Sequence, residues 1–434
     1  MTASKTFQDL PVFGSFEVYA QDPLGFYLSI RDQGDIVQMF GQSGQFVVNN
    51  PELIREVLVI KHEHFIKGRE VQVLKTVIGE GVLTSEKAEN RRQRQMVHPH
   101  FSLKQVTSYA EMMTSLTEEQ IAQWRDGEVR NMTDEMMLAT LEIITHTMFG
   151  TSVRGYTGGI ARAMETAQTH LAAIMDSDGQ ETPEALEQRD RELSESVELL
   201  DQVLYGIIEE RRQNPERSER RDLLSVFLRS GMSDKELRDQ MMTIFTGGHE
   251  TTANTLAWTW FLLAQHPEVE RKFHQELEEV LGGRTPTAAD YDKLKYTLQI
   301  VQESLRVYPA GWVITREVDS DVEIGGYQFL KGQMIQMCQF ATQRDPKWFE
   351  NPDAFIPERF AGDMLKQIPE FAYFPFGGGP RLCTGYNFAL LEAVLVLATI
   401  GQKYKLSLVE GTEVVPLPLV TLRAHNLQMK IEAR

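Results

Sequence analysis

The chain is poor in cysteine. Two occur in 434 residues, Cys338 and Cys383, which excludes a disulfide framework and suits a reducing compartment. Long apolar runs are missing too. The longest, Ala393 to Ala398, is far short of a membrane span, and the segment from Met1 to Gln8 has no apolar core of signal-peptide length. The expectation is a soluble, cytoplasmic protein with no membrane span. Gly/Ser-rich or Pro-rich linkers, internal repeats and low-complexity tracts are equally absent, so residues 1–434 read as a single domain. Positive charge is in deficit: 44 Lys and Arg face 62 Asp and Glu, a formal charge of −18. Such a surface repels phosphate backbones and excludes a nucleic-acid partner.

What is present is mostly helical patterning with a smaller β portion. Asp35 to Phe40 and Gln45 to Val48 read as a short hairpin around Gly41 and Gly44. Asn50 and Pro51 then open an amphipathic segment to about Ile60. Helical stretches follow near 103–124, 132–149, 158–175 and 188–213, and the acidic, polar residues 176–187 read as a loop. Past residue 318 the pattern turns to strands: Val322 to Phe329 around Gly325 and Gly326, Met334 to Cys338, and Val414 to Met429. Cys338, inside an apolar stretch, reads as inert packing.

The other cysteine stands in Phe376-Gly377-Gly378-Gly379-Pro380-Arg381-Leu382-Cys383-Thr384-Gly385. Three glycines and a proline force a tight turn there, and an apolar helix-like run, Phe388 to Ile400, follows. A cysteine near a helix N-terminus, two residues after an arginine, has its thiolate favoured by charge and dipole. One exposed thiolate on a rigid loop is what axial ligation of haem iron needs.

A second signal lies upstream. Ser233-Asp234-Lys235-Glu236 is a capping box, and helical patterning continues to Gln265 before His266-Pro267 stops it. At about 1.5 Å per residue that is roughly 48 Å. The middle of this helix is weakened by Gly247 and Gly248, each costing about 1 kcal/mol against alanine. The glycines leave room beside the helix, Thr251 can compete for the Gly247 carbonyl, and Glu250 places an ionisable group beside the opening. A zinc-protease reading of His249-Glu250 fails, because Ala253 stands where a second histidine is required.

The decapeptide resembles the haem-ligand loop of the cytochrome P-450 family at Phe376, Gly377, Arg381, Cys383 and Gly385. Gly247 to Thr252 resembles that family's oxygen-activation motif. The resemblance implies the cytochrome P-450 fold, with a long central helix over the haem, and haem b ligated by Cys383. It gives Thr251 and Glu250 the hydroxyl and acid roles in proton delivery. Arg94, Arg316 and Arg381 fall at propionate positions, although Asn90 replaces the family's tryptophan and Gln343 its histidine. Glu303-Ser304-Leu305-Arg306 and Pro357-Glu358-Arg359-Phe360 match segments that lock the region behind the haem. Residues 176–187 would join two helices roofing the substrate channel.

The reaction implied is hydroxylation of a lipophilic substrate with one oxygen atom of dioxygen. Electrons would come from NAD(P)H only indirectly, through a separate ferredoxin or flavodoxin with its reductase, because no length is left over for a fused one. By motif offset the pocket draws on Val82, Leu83, Thr243, Thr246, Gly247, Gly311, Trp312, Val313 and Leu419, mainly apolar. A fatty acid, terpenoid or steroid fits, and the glycine-rich helix is more similar to the fatty-acid hydroxylase branch than to the camphor-type one. Arg91 and Arg92 read either as a solvated face or as a docking patch for an acidic electron donor. The rival chemistry is peroxide-driven hydroxylation or rearrangement of a hydroperoxide on the same haem, against which the Glu250–Thr251 pair argues. A haem-based gas sensor or carrier would need an output domain.

Overall fold

The computed structural model describes residues 7–41, 44–175, 182–214 and 222–434. Its longer helices are α1 (Pro23–Arg31), α2 (Arg69–Ile78), α3 (Lys87–Val97), α4 (Ala110–Ile121) and α5 (Met132–Ile144). They continue with α6 (Thr157–Met175), α7 (Pro183–Gln213), α8 (Asp234–Gln265), α9 (Pro267–Leu281), α10 (Lys295–Val307) and α11 (Tyr386–Lys403). Local chemistry sets these ends. Ser233 and Glu236 form both halves of the capping box at the start of α8, and Pro267 closes it by opening α9. Helix α7 starts earlier than the polar composition suggested. The Thr182 side chain accepts from the Ala185 N–H and Pro183 takes the first turn, so 183–187 are helical; 176–181 lie outside the described residues.

The chain divides into two compact units. The first holds the segments up to Gln72 and from Gln302 to Cys383. Its sheet has the strand order β1-β2-β3-β9-β6-β4: Val12–Phe13, Ile36–Met39, Gln45–Val48, Met334–Met337, Ile314–Val318 and Phe65–Lys67. The expected hairpin is β2–β3, with Ile36 opposite Val48 and Met39 opposite Gln45. A second hairpin pairs β7 (Val322–Ile324) with β8 (Tyr327–Phe329). Phe46, Val48, Ile54, Phe65, Ile335, Met337, Phe371 and Phe374 form its core. Strands β4 and β6 have only three and five residues, too short for an alternation to stand out in sequence.

The second unit holds Val73–Val301 and Thr384–Arg434. Helix α8 is buried along most of its length, including Trp258 and Trp260, and packs on α5, while α6 packs on α7 and α11 on α4. A sheet of order β10-β13-β5 (Tyr404–Leu408, Gln428–Ala433, Val129–Asn131) and a hairpin of β11 (Val415–Pro418) with β12 (Leu422–His425) complete it.

In the first unit, Glu303 and Arg306 on α10 are both fully buried. A guanidinium has five N–H donors, and Arg306 uses all of them. Nε and Nη2 reach the two Glu303 oxygens at 2.7 and 2.8 Å. Nη1 reaches the carbonyls of Gln343 (3.0 Å) and Pro352 (2.6 Å), and Nη2 also that of Ala354 (2.9 Å). Arg359 adds a contact to Glu303 at 3.2 Å. Arg306→Ala strips Glu303 of a bidentate partner and leaves three carbonyls without their donor. Chemical denaturation should show a loss of about 3–5 kcal/mol, accompanied by poor haem retention.

Candidate functional site

Each glycine of the Cys383 loop has its own reason in the first unit. Gly377 and Gly379 have φ of +71° and +63°, in the left-handed region where a Cβ is strained. Gly378 is extended, but a Cβ there would run into the Phe371 ring, and one on Gly379 into the Leu58 carbonyl. Hydrogen bonds tie the loop: Gly377 N–H to Phe374 O at 2.9 Å, Leu382 N–H to Gly379 O at 3.0 Å, and Cys383 N–H to Phe376 O at 3.0 Å. Gly379–Arg381 form one 3-10 turn, and α11 begins at Tyr386, so Cys383 precedes the helix by three residues rather than opening it.

The loop turns Cys383 and its apolar neighbour Leu382 (36% exposed) outward. Cys338 is the opposite case: buried, its thiol donating to Trp312 O at 3.3 Å and pushed up to about 12 by burial. An exposed cysteine beside an exposed leucine fits a flat apolar group bound through sulfur. Gly377 lies against Ile314 of β6. Arg316, two residues along that strand, therefore shares the sheet face that carries the cysteine loop. Arg381 sits in the loop itself.

In the second unit, Gly247 is exposed in the middle of the otherwise buried α8, and nothing lies within 4 Å of where its Cβ would be. Thr251 Oγ1 donates to Gly247 O at 3.0 Å, and the pattern repeats every four residues: Thr255 to Thr251 O at 2.8 Å, Thr259 to Thr255 O at 2.7 Å. Such back-bonding loosens a helix ladder. Glu250 does not stand at the opening, as its position beside the glycines suggested. It is buried, its oxygens held by Gln168 Nε2 of α6 and Thr421 Oγ1 of the β11–β12 turn. Burial raises its carboxyl to about 7, against a downward pull from Thr421 and Arg423. His249 donates Nδ1–H to Phe245 O at 2.6 Å, and burial lowers it to about 4, so it is neutral.

The pocket residues assemble in part. Asp239 of α8 accepts from the Glu80 N–H at 2.9 Å, and Gly81 is flush against Thr243 Oγ1, which sets Val82 and Leu83 beside α8 in the second unit. The hydroxyls of Thr243 and Thr246 are buried without a hydrogen-bond partner. Leu419 lies two residues from Thr421 in the β11–β12 turn, its N–H bonded to Leu417 O and Thr421 O. Gly311, Trp312 and Val313 belong to the first unit, where Trp312 is buried edge-on to Tyr27 at 5.8 Å, a packing role.

Arg94 is half-buried on α3. Asn90 spends its amide on Val82 O at 2.7 Å and Ser85 Oγ at 3.3 Å, so it supports the Val82–Ser85 loop in place of a tryptophan. Arg92 is paired with Glu89 at 2.6 Å and Glu236 at 3.4 Å on an exposed face. Sequence reading missed Gln168, Thr421 and Glu392. Glu392 is fully buried on α11, with neither oxygen in a well-formed hydrogen bond. The first two could not be found locally, being 82 and 171 residues from Glu250.

The family described as Cytochrome P450 matches residues 5–431. Cyclooctatin synthase of Streptomyces melanosporofaciens is 31% identical, over 98% of this chain and 94% of its own. Cyclooctat-9-en-7-ol 5-monooxygenase of the same organism is 32% identical, over 93% and 89%. Pentalenene oxygenase of Streptomyces avermitilis is 29% identical, over 98% and 96%.

The raised carboxyl of Glu250 makes stability pH-dependent with a definite sign. Between its ordinary value of 4.5 and about 7 the folded state binds the extra proton, so stability falls as pH rises through that window and is level above it. At about 1.4 kcal/mol per pH unit the loss is up to about 3 kcal/mol. Glu250→Gln should remove this slope and be the more stable protein at pH 8 in parallel denaturation series.

Proposed function

Because the chain belongs to the cytochrome P450 family, and is thereby a haem b-dependent monooxygenase, we propose that residues 1–434 work as one haem domain that hydroxylates a terpenoid. The observation that carries the chemistry is the outward-turned Cys383 on a loop whose three successive glycines, Gly377 to Gly379, are each sterically required. The substrate class is supported by two of the relatives, whose names give a monooxygenase of cyclooctat-9-en-7-ol and an oxygenase of pentalenene, a cyclic alcohol and a cyclic hydrocarbon of terpenoid type, and by the largely apolar pocket residues. They favour the terpenoid end of the expected range over the fatty-acid end.

In this reading Cys383 Sγ would hold the haem iron, with Phe376 and Gly385 bounding the loop that carries it. Arg316, Arg381 and Arg94 pair with the propionates. Haem, when bound, supplies dioxygen binding and oxidation, with thiolate donation favouring O–O cleavage. The chain's own part is to position the substrate, exclude water and control protons. Val82, Leu83, Thr243, Thr246, Gly247 and Leu419, all of the second unit, bound the substrate space, Gly247 leaves room for dioxygen, and Thr251 hands on protons that Glu250 holds. Electrons come from NAD(P)H through a separate ferredoxin or flavodoxin with its reductase, and the protein works in the cytoplasm. Among the described residues no helix is long and apolar enough to cross a membrane.

The test combines binding and turnover. Titration with cyclic terpenoid hydrocarbons and alcohols should shift the iron spin state. NAD(P)H with ferredoxin and reductase should then place one labelled oxygen atom from dioxygen in the product. Turnover with peroxide alone, indifferent to the electron donor, would overturn the reading in favour of peroxide-driven chemistry.

A further inference from the structure

Glu250 is sealed inside the second unit, yet the groups that touch its carboxyl are neutral. Gln168 Nε2 of α6 donates to Oε2, and Thr421 Oγ1 donates to Oε1. Asn254, one turn along α8, donates in turn to Thr421 Oγ1 at 2.9 Å. The charged neighbour is Arg423 of β12, itself held by Asp134 of α5 at 3.5 Å and Glu165 of α6 at 3.4 Å. His249, adjacent on α8, is neutral and turned to Phe245 O.

The neutrality of the seat has a chemical consequence. A lysine or arginine there could only donate and would fix Glu250 in its ionised form. An amide and a hydroxyl can each donate or accept. Turning over the Gln168 amide offers Oε1 to a protonated carboxyl, and the Thr421 oxygen has lone pairs for the same purpose. Both protonation states of the carboxyl then find a partner without moving it into water.

We propose that Gln168 and Thr421 form a reversible seat in which Glu250 takes up and releases one proton while staying buried. They are positioning residues, acting through Glu250. The use made of the proton rests on the function proposed above; the seat itself does not. Burial pulls the carboxyl up while the Thr421 hydrogen bond and the charge of Arg423 pull it down, which leaves it near neutrality instead of locked in either form.

Infrared titration of the haem-loaded full chain tests this, with the Glu250 carboxyl band assigned by its loss in Glu250→Gln. The band should titrate near neutral pH in the wild type. Thr421→Val removes a donor to the charged form and should move the midpoint up by about one pH unit or more, and Thr421→Ser should restore it. Gln168→Lys should erase the band between about pH 5 and 8 by fixing the charge. Should that variant not fold, Gln168→Met keeps the length, loses the donor and should shift the midpoint upward. An unmoved midpoint in these variants, or a wild-type carboxyl ionised throughout that range, overturns the seat. Terpenoid-responsive enzyme with an unmoved band sinks the seat alone; the expected band shifts without any spin-state response to terpenoids sink the proposed function alone.

Discussion

The fully occupied guanidinium of Arg306 is the constraint on which the cysteine loop depends. Its Nη1 holds the Gln343 carbonyl, and the Gln343 side chain accepts from the Phe374 N–H at 3.0 Å while donating to Leu305 O and Arg306 O. Phe374 O takes the Gly377 N–H, and Phe376 O takes the Cys383 N–H. A relay of hydrogen bonds thus leads from a buried ion pair to the outward-facing cysteine, Cys383. Buried pairs are poor sources of net stability, because desolvation offsets much of their attraction. Here the pair's value is geometric: five donors with five acceptors fix the backbone at Gln343, Pro352 and Ala354, from which Gln343 bridges to the loop. Gln343, where the family has histidine, performs the bridge with an amide.

The second unit solves a different problem, that of an opening and a titratable group on one helix. Helix α8 gains from its capping box and from buried aromatics such as Trp258 and Trp260, and gives some of that back at Gly247 and in the threonine back-bonds. The two functions are separated by helix geometry. Gly247 and Thr251, four residues apart, share the open face, whereas Glu250 turns about 100° away into the packing against α6. An acid kept there avoids bulk water, which is why burial can hold its proton near neutral pH.

Much of this was legible in sequence because the signals are local. The capping box and His266-Pro267 bracket α8 at both ends, and the β2–β3 hairpin and the extended C-terminal segment follow from alternation and glycines. Cys383 and the Glu303–Arg306 pair were readable from spacing and family resemblance. What stayed hidden depends on partners remote in the chain. Nothing near Glu250 announces Gln168 or Thr421, nothing in Arg91-Arg92 shows that Glu236 will claim Arg92, and the carbonyls that fill Arg306 carry no side-chain signature. The start of α7 was missed for another reason: the Thr182-Pro183 cap was present, but acidic polar composition outweighed it.

The central claim is that this hydrogen-bonded loop aims the Cys383 sulfur at haem iron. The most direct measurement is the absorption spectrum of the carbon monoxide adduct of the reduced, haem-loaded chain. The account predicts the red-shifted Soret band of a thiolate-ligated adduct. A fully haem-loaded preparation whose adduct absorbs like a histidine-ligated globin would contradict it.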